Sequence, residues 1–262
     1  MSGGAVSGAA DGAVWCTGAG KGIGRAVCLE YARRGRLVVA SARTEADLAA
    51  LAEEAKSLPG RVVPLVVDVT DEGAVMAAVD RIETEHEQIS LAILNAGTHK
   101  PVNLADFHPE TFRRLMDVNV FGVVNGLAAL LPRLIARRAG HVAVVASVAG
   151  YCGLPSAAAY GASKAALINM AEALEPEMAA AQIRLTLINP GFVKTPLTDK
   201  NAFRMPFLIT AEEAANRIAH RLDRGRGFEI TFPRRFTWQL KFLRLLPYPL
   251  FFALTRRLVA DR

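Results

Sequence analysis

The sequence predicts an α/β chain, a doubly wound parallel sheet of about seven strands with helices on both faces, followed by a C-terminal amphipathic helical extension. Three observations carry this. From Ala13 onward, short β-branched apolar runs alternate with longer helical patterns. The runs are apolar on both faces, as expected of parallel strands covered by helices on each side. The alternation, with right-handed crossovers, builds one open sheet. A chain of 262 residues is long enough to bury a large core in one such domain and leaves no room for a second. An apolar fraction of 52% and a charged fraction of 21% exclude a disordered or collagen-like chain. The three cysteines, Cys16, Cys28 and Cys152, are too few for a disulfide framework, and their odd count points to a reducing compartment.

The elements follow in order. Residues 1–12 are small and polar with no basic segment, and read as a flexible lead and not a signal peptide. Strands are expected at 13–16, 37–41, 62–67, 89–95, 142–147, 183–189 and 228–232, each too short to be a buried helix. Helices are expected at 22–34, 45–57, 72–86, 109–138, 156–181 and 210–224. Thr44 with Asp47 resembles a capping box at the start of the second helix. No uncharged apolar run reaches the roughly 18 residues of a transmembrane helix, so none is expected. The chain divides into the lead, an α/β body over 13–232, and an extension over 233–262.

Directly after the first strand come Thr17-Gly18-Ala19-Gly20-Lys21-Gly22-Ile23-Gly24, and a helix follows. Glycines let the backbone turn tightly and approach a pyrophosphate closely. The helix N-terminus then offers free N–H groups and a positive dipole end to that anion. In this position the loop points to dinucleotide binding, with the spacing Gly18-x-x-x-Gly22-x-Gly24. An NAD site would place an acid near the end of strand two, for the ribose 2′-hydroxyl. Here the strand ends Ala40-Ser41-Ala42-Arg43. The Arg43 guanidinium suits a 2′-phosphate, and Lys21 is placed to reach the same group, so NADP(H) is expected over NAD.

Ser147 ends the fifth expected strand, and Tyr160-Gly161-Ala162-Ser163-Lys164 follows. Helical spacing puts Tyr160 and Lys164 on one face, a turn apart. A free tyrosine, with a pKa of about 10, is too weak an acid for efficient proton transfer at neutral pH. A nearby ammonium favours the phenolate and lowers that value. Ser147 faces the same crevice and can hydrogen-bond a carbonyl oxygen.

Together these motifs resemble the short-chain dehydrogenase/reductase family, over about residues 12–232. The resemblance implies the family's Rossmann-type fold. Thr17, Gly18, Gly22 and Gly24 match its cofactor motif, with Gly20, Lys21 and Ile23 in the same loop. Asp68 and Val69 match the pair that contacts adenine, and Asn95-Ala96-Gly97 match the element closing the fourth strand. Leu94 stands where the family usually has a second asparagine. Asn119 matches the helix asparagine that holds a proton-relay water. Ser147, Tyr160 and Lys164 match the other catalytic members. Pro190, Gly191, Val193 and Thr195 fall in the segment that covers the nicotinamide.

The implied activity is NADPH-dependent interconversion of a carbonyl and an alcohol on a small apolar or lipid-like substrate. Ser147 would hold the carbonyl oxygen and Tyr160 would donate the proton. Lys164 would lower the Tyr160 pKa and bind the nicotinamide ribose, and Asn119 would support proton resupply. The alternatives are a non-catalytic NADP-binding scaffold or sensor at a membrane, and a cofactor-dependent isomerase or epimerase. The resemblance also implies a homodimer or homotetramer, paired through the helices at 109–138 and 156–181.

The expected substrate loop runs over 196–209 and mixes apolar residues with Lys200 and Arg204. Tyr151, Cys152, Gly153 and Leu154 are expected as another wall, with His99 and Lys100 at the crevice mouth. None of the five histidines stands at metal-ligand spacing, so no metal is expected. The net charge of +6 resides in residues 226–262, where eight cations face Glu229 and Asp261, and the body before them is neutral. In the extension, Thr237, Lys241 and Arg244 form a polar stripe among Phe236, Trp238, Leu240, Phe242, Leu243, Leu245 and Leu246, an amphipathic pattern broken by Pro247 and Pro249. Two readings stay open for its apolar face: lipid contact, or packing on the body or a sister subunit. A cytoplasmic protein is expected, with peripheral contact of 234–257 at the inner membrane surface under the first reading. A basic patch without a reading motif does not imply nucleic acid.

Overall fold

Seven parallel strands among the described residues form one sheet in the order β3-β2-β1-β4-β5-β6-β7. They are β1 (Ala13–Thr17), β2 (Leu37–Ala42), β3 (Arg61–Val66), β4 (Ile89–Leu94), β5 (His141–Val145), β6 (Arg184–Pro190) and β7 (Glu229–Phe232). The computed structural model describes residues 12–200, 205–225 and 227–260. The lead up to residue 11, Asn201 to Arg204 of the expected substrate loop, Arg226, Asp261 and Arg262 lie outside the described residues.

Strand side chains alternate between two helical layers, as period-two geometry dictates. Trp15 of β1, Val39 of β2 and Val142 and Val144 of β5 enter one core. That core is completed by α3 (Glu72–Glu85), α5 (Gly122–Arg137) and α6 (Ala158–Ala180). Val14 and Cys16 of β1, Val38 and Ala40 of β2 and Ala143 and Val145 of β5 enter the other core. There they meet α1 (Gly22–Arg33), α2 (Glu45–Ala55) and α7 (Ala211–Asp223). The strand order reverses between β1 and β4, and such a switch point leaves a crevice at the carboxyl ends of the strands.

The structure corrects several expectations. β3 is the sheet edge, and Val66 at its end is exposed; it is not covered on both faces like the central strands. The expected helix at 109–138 is α4 (Pro109–Met116), a π-helical turn (Asp117–Phe121) and α5. The Gly122 N–H reaches back five residues to the Asp117 carbonyl there, a bulge that seats one extra residue in the turn. The stretch Pro109–Arg137 is long enough to cross a membrane and contains an 18-residue window of mean hydropathy 1.6. Its Val123, Leu127, Leu130 and Leu134 are nevertheless committed to the core. Thr44 does occupy the N-cap of α2, but its side chain makes no capping bond. Asp47 turns instead to Lys21 Nζ, 3.3 Å away. β5 ends at Val145, two residues before Ser147.

After β7 the chain forms α8 (Arg234–Leu245) and α9 (Tyr248–Ala260). Pro247 separates them, whereas Pro249 sits in the first turn of α9, where a missing N–H costs nothing. Two of the three residues of the α8 polar stripe face inward: Thr237 is only 3% exposed, and Lys241 pairs with Glu229 of β7, whereas Arg244 is exposed. Glu229 also accepts from Tyr151 Oη and, at 2.7 Å, from Asn189 Nδ2. Partial burial raises the Glu229 carboxyl, but its bonds from Lys241, Tyr151 and Asn189 outweigh this and hold it below the usual range. This half-buried anion, with Lys241 as its cationic partner, holds that side of α8 toward the body. Of its apolar residues, Leu240, Phe236 and Leu243 pack on the body, and Trp238, Phe242 and Leu245 do not.

Candidate active site

A cleft of about 350 Å³ opens at the carboxyl ends of β1, β4, β5 and β6. Gly18 lies on its floor with φ +68, and a Cβ there would stand 2.7 Å from Ala96 Cα. At Gly24, in the first turn of α1, a Cβ would stand 2.4 Å from the Gly18 carbonyl oxygen. Both positions therefore require glycine, and α1 begins directly beneath the loop. Thr17 and Asn95 clasp the two strand ends together. The Thr17 hydroxyl accepts the backbone N–H groups of Asn95 and Ala96 at 3.0 and 3.1 Å. Asn95 Nδ2 donates to the Thr17 and Gly18 carbonyls at 3.0 and 3.3 Å. Thr17, Gly24 and Ala96 thus shape the cradle from behind, and Gly20 lies against Asp47, whose Cβ would stand 3.2 Å from a Cβ there.

Two exposed cations flank the cradle. The Lys21 and Arg43 side chains are 64% and 65% exposed, and lie 3.3 Å from Asp47 and 3.9 Å from Asp68. Exposed pairs of this kind are worth little and exchange readily. Partial burial raises the Asp68 carboxyl, but the Thr70 N–H and hydroxyl bonds and the Arg43 charge together hold it below its usual value. Val69 is buried against Gly122 at the start of α5.

Ser147, Tyr160 and Lys164 meet at the other end of the cleft. Ser147 follows β5; its hydroxyl accepts the Ala149 N–H at 3.1 Å and donates toward the Pro190 carbonyl at 3.5 Å. Tyr160 and Lys164 share one face of α6, with Lys164 Nζ 5.8 Å from the Tyr160 ring centre. Lys164 Nζ donates to the Val145 carbonyl at 2.9 Å. Burial pushes the Lys164 ammonium down to about 8. Burial also pushes the Tyr160 phenol above its usual value, and the Ser147 hydrogen bond offsets part of this. For Tyr160 desolvation outweighs the Ser147 hydrogen bond, so the phenol stays protonated in this arrangement.

Asn119 sits in the π-helical turn, fully buried. Its Oδ1 accepts the Thr98 N–H at 2.7 Å, and its Nδ2 donates to the Thr98 carbonyl at 3.0 Å and to Ser163 Oγ at 2.9 Å. Ser163 in turn donates to the Tyr160 carbonyl at 2.7 Å. The side chain thus ties the loop after β4 to the turn of α6 that carries Tyr160.

Gly18, Lys21, Gly22, Ile23, Asn95, Gly97, Ser147, Tyr160, Lys164, Pro190, Gly191, Val193 and Thr195 converge on this one cleft. His99 packs edge-on against Tyr160, ring centres 4.7 Å apart, and Lys100 turns to Asp106 at 3.4 Å. The expected wall at Tyr151, Cys152 and Gly153 belongs elsewhere. These residues line a second cavity of about 460 Å³, between the α6 N-terminus and Arg244 of α8. Glu229 draws the Tyr151 hydroxyl out of reach of the first cleft, and burial followed by the Glu229 contact keeps that phenol protonated. Thr198 was visible only as part of a loop. Its hydroxyl donates to the Val193 carbonyl at 2.7 Å and accepts the Thr195 N–H at 3.0 Å, which fixes Thr195 at the cleft.

A family model described as short chain dehydrogenase matches residues 12–204. An uncharacterized oxidoreductase of Myxococcus xanthus is 38% identical over 242 residues, covering 92% of this chain and 95% of that protein. A solved short-chain dehydrogenase from Sphingobium yanoikuyae, in complex with NADPH, is 26% identical with a TM-score of 0.76, covering 84% of this chain and 87% of that one. A 3-oxoacyl-acyl-carrier-protein reductase from Brucella melitensis, with bound NAD, is 28% identical with a TM-score of 0.73, covering 84% of this chain and 88% of that one.

Proposed function

The chain belongs to the short chain dehydrogenase family of oxidoreductases, and from that premise we propose that it uses NADPH to interconvert a carbonyl and an alcohol on a small apolar substrate. The observation that carries this is the meeting of Ser147, Tyr160 and Lys164 at a glycine-floored cleft. The residues fit the dinucleotide. The loop from Gly18 to Gly24 and the N-terminus of α1 would hold the pyrophosphate. Asp68 and Val69 would meet the adenine, and Arg43 and Lys21 the 2′-phosphate. Gly97, Pro190, Gly191, Val193 and Thr195 would enclose the nicotinamide half. When bound, the nicotinamide supplies or accepts the hydride.

The protein handles the proton. Ser147 Oγ hydrogen-bonds the substrate oxygen. Burial keeps Tyr160 protonated at neutral pH, so its hydroxyl delivers a proton to that oxygen as the carbonyl becomes an alcohol. The Lys164 ammonium then stabilises the phenolate left behind, in a site where low dielectric strengthens the interaction. Its role is to support the charge that develops and not to acidify the resting phenol. Lys164 would also bind the nicotinamide ribose. Asn119, whose side chain is bonded to Thr98 and Ser163, would support proton resupply through a relay water.

The test is NADPH oxidation by the purified protein against a panel of apolar ketones. Stoichiometric consumption with alcohol formation is expected. Cofactor binding without turnover on any of them would favour a scaffold or sensor, and turnover without net consumption an isomerase. The pH profile checks the Lys164 role. Reduction is expected to decline above about pH 8, where Lys164 loses its proton. A kcat/KM flat from pH 7 to pH 10 would remove Lys164 from the charge-supporting role. Assembly through the faces of α5 and α6, where Ile135 is exposed, belongs to the same proposal and is read by light scattering.

A further inference from the structure

The fold leaves an uncovered apolar surface on its last two helices. On α8, Trp238, Phe242 and Leu245 are 70%, 64% and 80% exposed. Their spacing of four and three residues sets them on one face, opposite the inward Thr237, Leu240 and Lys241. On α9, Leu250, Phe252 and Leu254 are exposed, Tyr248 stacks on Phe252 at 5.7 Å, and the buried side is marked by Thr255. Both helices therefore show the solvent large apolar side chains as well as cations, although α8 already buries Leu240 and packs Phe236 and Leu243 on the body, an apolar excess beyond what a surface helix facing water needs. Monomeric proteins rarely expose so many large apolar side chains in one short segment without a use for them.

Charge decides what the surface fits. Arg234, Arg235, Arg256 and Arg257 are exposed, and no acidic residue occurs from 234 to 257. A second copy docking through this surface about a two-fold axis would set the same arginines against each other. An anionic bilayer offers apolar depth for Trp238, Phe242 and Leu250 and phosphate for the arginines. We propose that α8 and α9 form a docking surface for an anionic lipid bilayer.

The surface also reaches the cleft. The Phe236 ring lies 5.4 Å from Phe192 and 6.3 Å from Phe207, in the segments beside the cleft residues Val193 and Thr195. Phe207 and Leu208 are themselves exposed. Docking would bring the bilayer to the rim of the site, so that apolar substrate enters from lipid; this second step rests on the reductase reading.

The experiment is co-sedimentation of the full chain with vesicles of phosphatidylcholine, with and without phosphatidylglycerol. Binding to the anionic vesicles, weak on the neutral ones and reversed by salt, is expected. The two tryptophans are Trp15, fully buried, and Trp238, so a blue shift in emission on binding reports Trp238 entering the bilayer. Trp238→Ser with Phe242→Ser should lose vesicle binding with an unchanged melting temperature. Arg256→Gln with Arg257→Gln should weaken it about 30-fold at low salt. No binding to anionic vesicles, or equal binding to both, overturns the proposal. So does a dimer of the wild type that the Trp238/Phe242 variant converts to monomer, which would assign the surface to a second copy. Vesicle binding needs no turnover, so loss of the reductase reading leaves this result standing, and the reverse.

Discussion

Replacing Tyr160 by phenylalanine is expected to lower kcat about a thousandfold while leaving NADPH binding and the melting temperature near wild type. The magnitude follows from removing the one group placed to move a proton to the substrate oxygen, a contribution of about 10²–10⁴-fold, or some 4 kcal/mol of barrier at the middle of that range. The fold should tolerate the change because the ring, not the hydroxyl, does the packing. It lies against His99 at 4.7 Å and joins a small cluster with Val102, Phe112, Leu115 and Ala159. Ser147 keeps its bonds to the Ala149 N–H and the Pro190 carbonyl when the phenol is lost. Ser147→Ala should behave differently. It removes a donor to the substrate oxygen and also the residue that caps the turn at Val148–Gly150, so activity and stability should fall together, the latter by about 1 kcal/mol. Cofactor titration beside steady-state rates separates the two variants. Near-normal turnover of Tyr160→Phe would show that the proton comes from elsewhere.

Local chemistry made much of this site legible in the amino-acid sequence. A glycine cradle must be contiguous because its backbone has to wrap one anion, and Tyr160 and Lys164 must be a helical turn apart to share a face. Both are short-range constraints. The strands were legible for the same reason, since each is a short β-branched run. What escaped depended on neighbours distant along the chain. The edge position of β3 is a property of sheet order. The π-helical turn at Asn119 left no periodic signal, because a single extra residue within one turn does not break the helical pattern read over 109–138. The polar stripe of α8 was visible, but its inward orientation comes from Glu229 and Tyr151, which meet Lys241 only in the fold. The same pair removed Tyr151 from the expected substrate wall. Asp47, read as a helix cap, serves instead as the partner of Lys21. Chemistry that needs adjacent residues is readable in order; chemistry assembled across the sheet is not.

Under the proposed NADPH reading, the Lys21–Asp47 and Arg43–Asp68 pairs bear on the choice of cofactor. Arg43→Leu and Lys21→Ala are each expected to raise the KM for NADPH about tenfold, and together about a hundredfold, with kcat/KM for NADH unchanged. A charge-assisted hydrogen bond is worth about 1.5–3 kcal/mol, and the strong exposure of both side chains puts each at the low end. In the resting structure the two cations face Asp47 and Asp68. Exposed pairs are worth about 0–1 kcal/mol, so a phosphate carrying nearly two negative charges displaces these carboxylates with a net gain. Once both cations are removed, Asp47 and Asp68 remain beside the 2′-position. They should repel the phosphate while a carboxylate can still accept from a ribose hydroxyl, so the double variant should turn toward NADH. The effect is one of exposed charges and should shrink as ionic strength rises past the point where the screening length falls below about 8 Å. Measuring kcat/KM for both cofactors at low and high salt tests each step. If the wild type already prefers NADH, Asp47 takes the role of the ribose acid, and Lys21 serves only to orient it.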